Sequence, residues 1–198
     1  GYGAAWGDYD NDQDFDLYLA NWGVNRLFNN ENNIFSNVAD VQYVESEELS
    51  NGVSWGDYNN DGMLDLWTSN IRNPDDVFIN LGNSEWDTTS SPQFLSATQD
   101  VISGDINGDG WLDVFAAGLK MQNGPEGAKY TSLLYKNVTV DSSFSTNHWL
   151  KLKLEGSQYA LPNGEWSDKS NLSAIGARVV LHLADQDIMR EIIGGSGH

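Results

Sequence analysis

Three short segments of this chain set oxygen-bearing side chains at alternate positions. They are Trp6-Gly7-Asp8-Tyr9-Asp10-Asn11-Asp12-Gln13-Asp14-Phe15-Asp16-Leu17, Trp55-Gly56-Asp57-Tyr58-Asn59-Asn60-Asp61-Gly62-Met63-Leu64-Asp65-Leu66 and Ser103-Gly104-Asp105-Ile106-Asn107-Gly108-Asp109-Gly110-Trp111-Leu112-Asp113-Val114. With the first Asp as position 1, every copy carries an oxygen side chain at positions 1, 3, 5 and 9. A hard cation such as calcium takes about six to eight oxygens at roughly 2.3–2.6 Å, so a loop that serves it must turn carboxylates and amides inward against their mutual repulsion. A carbonyl at position 7 adds an oxygen, and Gly at position 6 permits the sharp turn. Gly62 and Gly110 fit that role. Gln13 does not, so the first loop is expected either to hold a non-glycine residue in a strained turn or to curl differently. Asp10 and Asp14 make it the most acidic of the three.

Other calcium motifs fail on the same residues. An EF-hand needs a bidentate Glu at position 12, where this chain has Leu19, Thr68 and Ala116, and the segments after the loops read as strands. The repeat period excludes a nine-residue glycine-rich calcium helix, and the absence of cysteine excludes a thrombospondin-type array. Asp, Asn and Gly also make ordinary solvated turns, which would explain one copy. The first Asp recurs after 49 and then 48 residues, which marks a structural repeat.

Around the loops the chain alternates apolar and polar residues. Strands are expected over 16–21, 25–29 and 34–38, over 64–69 and 76–80, and over 112–116 and 131–137, with a Gly-rich excursion from Gly118 to Gly127. Three or four short strands per repeat make a blade. The loops, with the following Leu27-Phe28-Asn29-Asn30, Val77-Phe78-Ile79-Asn80 and Leu133-Leu134-Tyr135-Lys136-Asn137, resemble the FG-GAP/VCBS repeats, including those of integrin propellers. That resemblance implies a calcium loop between the first two strands of a propeller blade, with ligands at positions 1, 3, 5, 7 and 9. Carried over, they are Asp8, Asp10, Asp12, Asp14 and Asp16; Asp57, Asn59, Asp61, Met63 and Asp65; and Asp105, Asn107, Asp109, Trp111 and Asp113. Met63 and Trp111 would serve through backbone carbonyls.

The repeats are expected to occupy residues 1–144, as about 1–48, 49–97 and 98–144. Beyond them an alternating strand with no acidic loop is expected over 146–156, and a polar segment then leads to the apolar stretches 174–183 and 188–193. The segments Asn147-His148-Trp149-Leu150, Ile175-Gly176-Ala177-Arg178 and Arg190-Glu191 through Gly194-Gly195-Ser196-Gly197 resemble the ASPIC/UnbV domain, over 145–198. Because the chain opens inside a repeat without Met, and stops at His198 before that domain's last strands, it is expected to be a piece of something longer.

Composition bounds the function. The 198 residues are 39% hydrophobic and 12% aromatic, enough for real cores. A formal charge of −19 argues against nucleic acid and anionic membrane as partners, and three bound calcium ions would bring it only to −13. No apolar run approaches membrane-spanning length. Without disulfides, metal loops could act as cross-links. Weak calcium loops are useful where calcium is plentiful, so the expected location is extracellular or at the cell surface.

No nucleophile elbow, phosphate loop or zinc pattern is present. The histidines His148, His182 and His198 read as structural, so no enzyme is expected. Trp6 and Trp55 precede equivalent loops and read as core; Trp22, Trp86 and Trp166 are freer to stack on a sugar. Asn137-Val138-Thr139 and Asn171-Leu172-Ser173 match the glycosylation sequon, a short pattern that arises readily by chance. The expectation is an all-β chain: three β-propeller-blade-like repeats with calcium loops, followed by a small β-sandwich-like domain. It would bind up to three Ca2+ and serve structure or adhesion, with other proteins or copies of itself as partners and carbohydrate as an alternative. Head-to-tail filaments are one form of that assembly, because three repeats leave sheet edges that a neighbour can complete.

Overall fold

A computed structural model describes residues 1–39, 44, 46–88, 98–118, 132–138, 150, 152–154, 177–184 and 186–191. In the first repeat β1 (Gly3–Gly7), β2 (Asp16–Ala20), β3 (Arg26–Glu31) and β4 (Ile34–Asn37) form an antiparallel sheet in chain order. The second repeats the plan with β5 (Ser50–Gly56), β6 (Asp65–Asn70), β7 (Asp76–Gly82) and β8 (Glu85–Asp87). In the third, β9 (Thr98–Gly104) and β11 (Leu133–Tyr135) flank β10 (Asp113–Gly118). Each acidic loop joins the first two strands of its sheet at one register: Gly7 faces Asp16, Gly56 faces Asp65 and Gly104 faces Asp113. Among the described residues the molecule is all-β, and none of them forms a helix long and apolar enough to cross a membrane.

Side chains alternate across a strand, so a sheet buried on both faces needs apolar residues at successive positions. The middle blade meets that condition. Leu66 and Phe78 face the first blade and pack with Trp55 and Leu64 against Tyr9, Tyr18 and Leu27. The neighbouring positions Trp67 and Val77 face the third blade and pack with Tyr58 against Val101, Val114 and Ala116. All six residues of β6 are therefore buried, whereas β2 is buried only at alternate positions and Phe115 of β10 is exposed. The three sheets are thus stacked face to face.

Trp55 lies in the first of these interfaces, 7% exposed, with its indole N–H donating to the Ala5 carbonyl at 3.2 Å. Trp6, the equivalent residue, is not core. It is 49% exposed and meets only the edge of Phe35 among the described aromatic rings. Equivalent sequence positions differ here because Trp55 has a blade in front of it and Trp6 has none among the described residues.

C-terminal to the blades, β12 (Arg178–His182) and β13 (Asp187–Glu191) form an antiparallel hairpin within the segment where a β-sandwich-like domain was expected. The strand expected over Thr146–Gly156 is not seen in its described residues, 150 and 152–154. Its remainder, most of the excursion 118–127, His148, His198, Trp166 and Asn171-Leu172-Ser173 lie outside the described residues.

Candidate metal centre

The three loops share one conformation. Position 4 is left-handed in each, at Asn11 (φ 61°), Asn60 (φ 56°) and Gly108 (φ 78°), and so is position 6, at Gln13 (φ 75°), Gly62 (φ 92°) and Gly110 (φ 88°). Of the two alternatives for Gln13, the strained turn is the one adopted. The amide of position 6 donates to the position 1 carboxylate in every loop: Gln13 to Asp8 at 3.3 Å, Gly62 to Asp57 at 2.9 Å and Gly110 to Asp105 at 3.2 Å. Position 5 amides donate to position 3 and position 7 amides to position 5, again in all three. Backbone N–H groups thereby hold the oxygen side chains in a curl before any ion is considered.

Position 9 has a further task. One oxygen of Asp16, Asp65 and Asp113 accepts from the position 2 amide, of Tyr9, Tyr58 and Ile106 respectively. The other accepts from the backbone of Asn30, Asn80 and Asn137, at 2.9, 2.9 and 2.8 Å. These carboxylates pin each loop to the third strand of its blade or the residues just after it. The three asparagines, which the sequence marked only as part of the recurring segment after each loop, continue the chain of contacts. Asn80 donates its side-chain amide to the Tyr9 carbonyl and Asn137 to that of Tyr58, each reaching the loop of the preceding blade. Position 4 makes the reverse link, Asn11 to the Gly62 carbonyl at 3.2 Å and Asn60 to that of Gly110 at 3.1 Å. The loops therefore form one connected row. Asn137 is committed inside this network despite its sequon.

Asp8, Asp10 and Asp16 bring ligand oxygens within 4.8 Å of one another. Asp8 is 1% exposed, and its Oδ1 has no hydrogen-bond partner among the described residues. Burial, reinforced by the neighbouring acids, pushes Asp8 up to about 6 and Asp16 up to about 8. Burial likewise raises Asp57 to about 6 and Asp65 to about 8, with Asp61 adding to both. Buried carboxylates that resist ionisation and an oxygen without a donor describe a site short of positive charge. An all-oxygen donor set suits a hard cation.

Asp14, at position 7 of the first loop, accepts with its carboxylate from the Asn32 backbone amide at 2.9 Å. Asp12, Asp61, Asn107 and Asp109 are exposed at the rim, with Asn59 half-buried beside Asp61. Trp86 is packed on Tyr9 in the first interface, whereas Trp22 is exposed and stacked on Tyr2 at 4.5 Å. His182 stands on the exposed side of the hairpin, paired with Asp187 at 2.8 Å.

The model of the FG-GAP-like repeat matches this chain twice, over residues 8–68 and 57–116, and the two matches together span all three loops. A search among curated proteins finds no match.

Proposed function

We propose, from the premise that this chain belongs to the FG-GAP-like repeat family, that it is a non-catalytic module whose loops bind calcium and whose blades present surfaces for protein contact outside the cell. The observation that carries the calcium reading is the buried, unpartnered Oδ1 of Asp8 beside Asp10 and Asp16. In the first loop Asp8, Asp10, Asp12, Asp16 and the carbonyl of Asp14 would hold the ion. The equivalent sets are Asp57, Asn59, Asp61 and Asp65 with the Met63 carbonyl, and Asp105, Asn107, Asp109 and Asp113 with the Trp111 carbonyl. A carboxylate oxygen has two lone pairs, so the position 9 Asp can keep its N–H donors and still face a cation. The ion would supply charge neutralisation and a cross-link between the first two strands of each blade. Beyond residue 144 we read an ASPIC/UnbV-like β-domain, to which the hairpin belongs.

Protein contact, including contact with further copies, is favoured by the two outer blade faces. Trp6 and Phe35 are exposed on the first blade, and Ile102, Phe115 and Leu134 on the third. These are the faces that the middle blade buries on both of its sides. Thermal unfolding of the chelated protein against the same protein in millimolar calcium, with particle size read in parallel, tests the whole reading. Ligand at about 100 times its dissociation constant stabilises by roughly 2.7 kcal/mol per site, so a large upward shift is expected. Assemblies that form with calcium and fail with Trp6→Asp would make self-association the role of the faces; an unchanged melting point would remove the calcium reading.

Carbohydrate binding has one observation in its favour. Tyr2, stacked on the exposed Trp22, lines a cavity of about 530 Å³ together with Asn51, Gln99 and Asp100. Quenching of tryptophan fluorescence by oligosaccharides, lost in Trp22→Ala, would support it; no response to a glycan panel would dismiss it.

A further inference from the structure

The C-terminal hairpin lies on the first two loops rather than apart from them. Gln13 donates to Asp187 at 3.2 Å, and the Arg178 guanidinium sits 4.7 Å from the centre of the Phe15 ring. Ile188 is so close to Gly62 that a Cβ there would meet its Cδ1 at 2.8 Å. Arg190 reaches furthest in, donating to the Gly62 carbonyl at 3.4 Å, the same oxygen that accepts from Asn11. One carbonyl thus joins the first loop, the second loop and the hairpin. The Arg190 charge faces Asp57, Asp8 and Asp65, yet it forms no contact ion pair among the described residues.

We propose that the hairpin is a strap held over the first two loops by Arg190, and that cation binding in those loops and docking of the strap oppose each other. The proposal rests on the calcium reading above. Without an ion, Arg190 brings a positive charge to bear on these buried carboxylates. A divalent ion placed among the same carboxylates repels the guanidinium, and the repulsion is felt because the loops keep water from screening it. Arg190 bonds the position 6 carbonyl, which is outside the ligand set, so it does not block a ligand atom. The opposition therefore acts through charge and is graded. By linkage, whatever factor the docked strap costs calcium affinity is the factor by which calcium loosens the strap.

The test uses the full chain stripped with chelator. Calcium is titrated by calorimetry into the wild type, Arg190→Met and Arg190→Lys, and hydrogen exchange of residues 178–191 is followed with and without calcium. Arg190→Met is expected to bind calcium at least roughly fivefold more tightly at one or two sites, Arg190→Lys to stay near wild type, and calcium to speed exchange in the wild-type hairpin. Should Arg190→Met misfold, Arg178→Ala loosens the same open end of the strap at its contact with Phe15 and is expected to tighten calcium binding in the same direction. Unchanged or weaker affinity in these variants, or slower exchange in the hairpin with calcium, would overturn the strap while leaving the calcium loops in place. A wild type that binds no calcium would overturn both.

Discussion

At position 9 of each loop a buried carboxylate accepts two backbone N–H groups, one from its own loop and one from Asn30, Asn80 or Asn137. An amide in that place keeps one acceptor and turns its NH2 toward a donor. Asp65→Asn is therefore expected to destabilise the chelated protein by about 1–3 kcal/mol in denaturant unfolding, whereas Asp109→Asn, exposed at the rim, should stay within about 0.5 kcal/mol. The same carboxylates set a pH dependence. Asp16 and Asp65 are raised to about 8 from an ordinary 3.8, so the folded state holds protons that the unfolded state releases. Their stabilisation is fully present below about pH 4 and is lost as pH rises toward 8, with Asp8 and Asp57 contributing near 6. The melting point of chelated protein should fall between pH 5 and 8, and saturating calcium should flatten or reverse that slope because it binds the ionised form. A chelated protein that gains stability over that range would contradict this electrostatic picture. Positions 1, 3, 5 and 9 were legible in the sequence because their spacing is local and repeats. The pinning role of position 9 was not, since its partners lie 14, 15 and 24 residues away.

The loops and strands follow from turn chemistry and alternation, and they respond to substitution as elements. Gln13 holds a left-handed backbone that its Cβ disfavours, and its side-chain bond to Asp187 is exposed. Gln13→Gly is expected to stabilise the molecule by roughly 0.5–1 kcal/mol. The opposite change, Gly62→Ala, combines a left-handed backbone with a Cβ driven into Ile188. It should destabilise the second loop by about 1 kcal/mol or more and raise exchange in β13, read by denaturation and hydrogen exchange. Most strands of the first two blades were legible because their apolar residues alternate. Leu150 and residues 152–154 alternate too but are not in a strand; periodicity shows which face a strand could bury, and pairing needs a partner strand as well. The placement of the hairpin on the loops was hidden for a related reason: Arg190 lies 128 residues from the carbonyl it reaches.

At the scale of the whole molecule, three sheets stacked face to face make two cores, and the row of loops runs along both. Trp55 spans the first interface, between Ala5 and the rings of Tyr9, Tyr18 and Trp86. Trp55→Ala is expected to cost about 3–5 kcal/mol, and Trp6→Ala in the monomer less than about 1 kcal/mol, a contrast that thermal and chemical unfolding can measure. The sequence made these two tryptophans equivalent, and only the stacking order separates them. The proposed function turns on the loops, because their buried acids ask for positive charge and, in the first two loops, Arg190 supplies part of it. The most direct measurement is to count calcium ions per chain by equilibrium dialysis of chelator-stripped protein against rising calcium, with magnesium as the control. One to three calcium ions per chain, reduced by Asp8→Asn with the fold intact, is the expected result. No bound calcium at millimolar concentration would contradict the account and leave the loops as hydrogen-bonded turns.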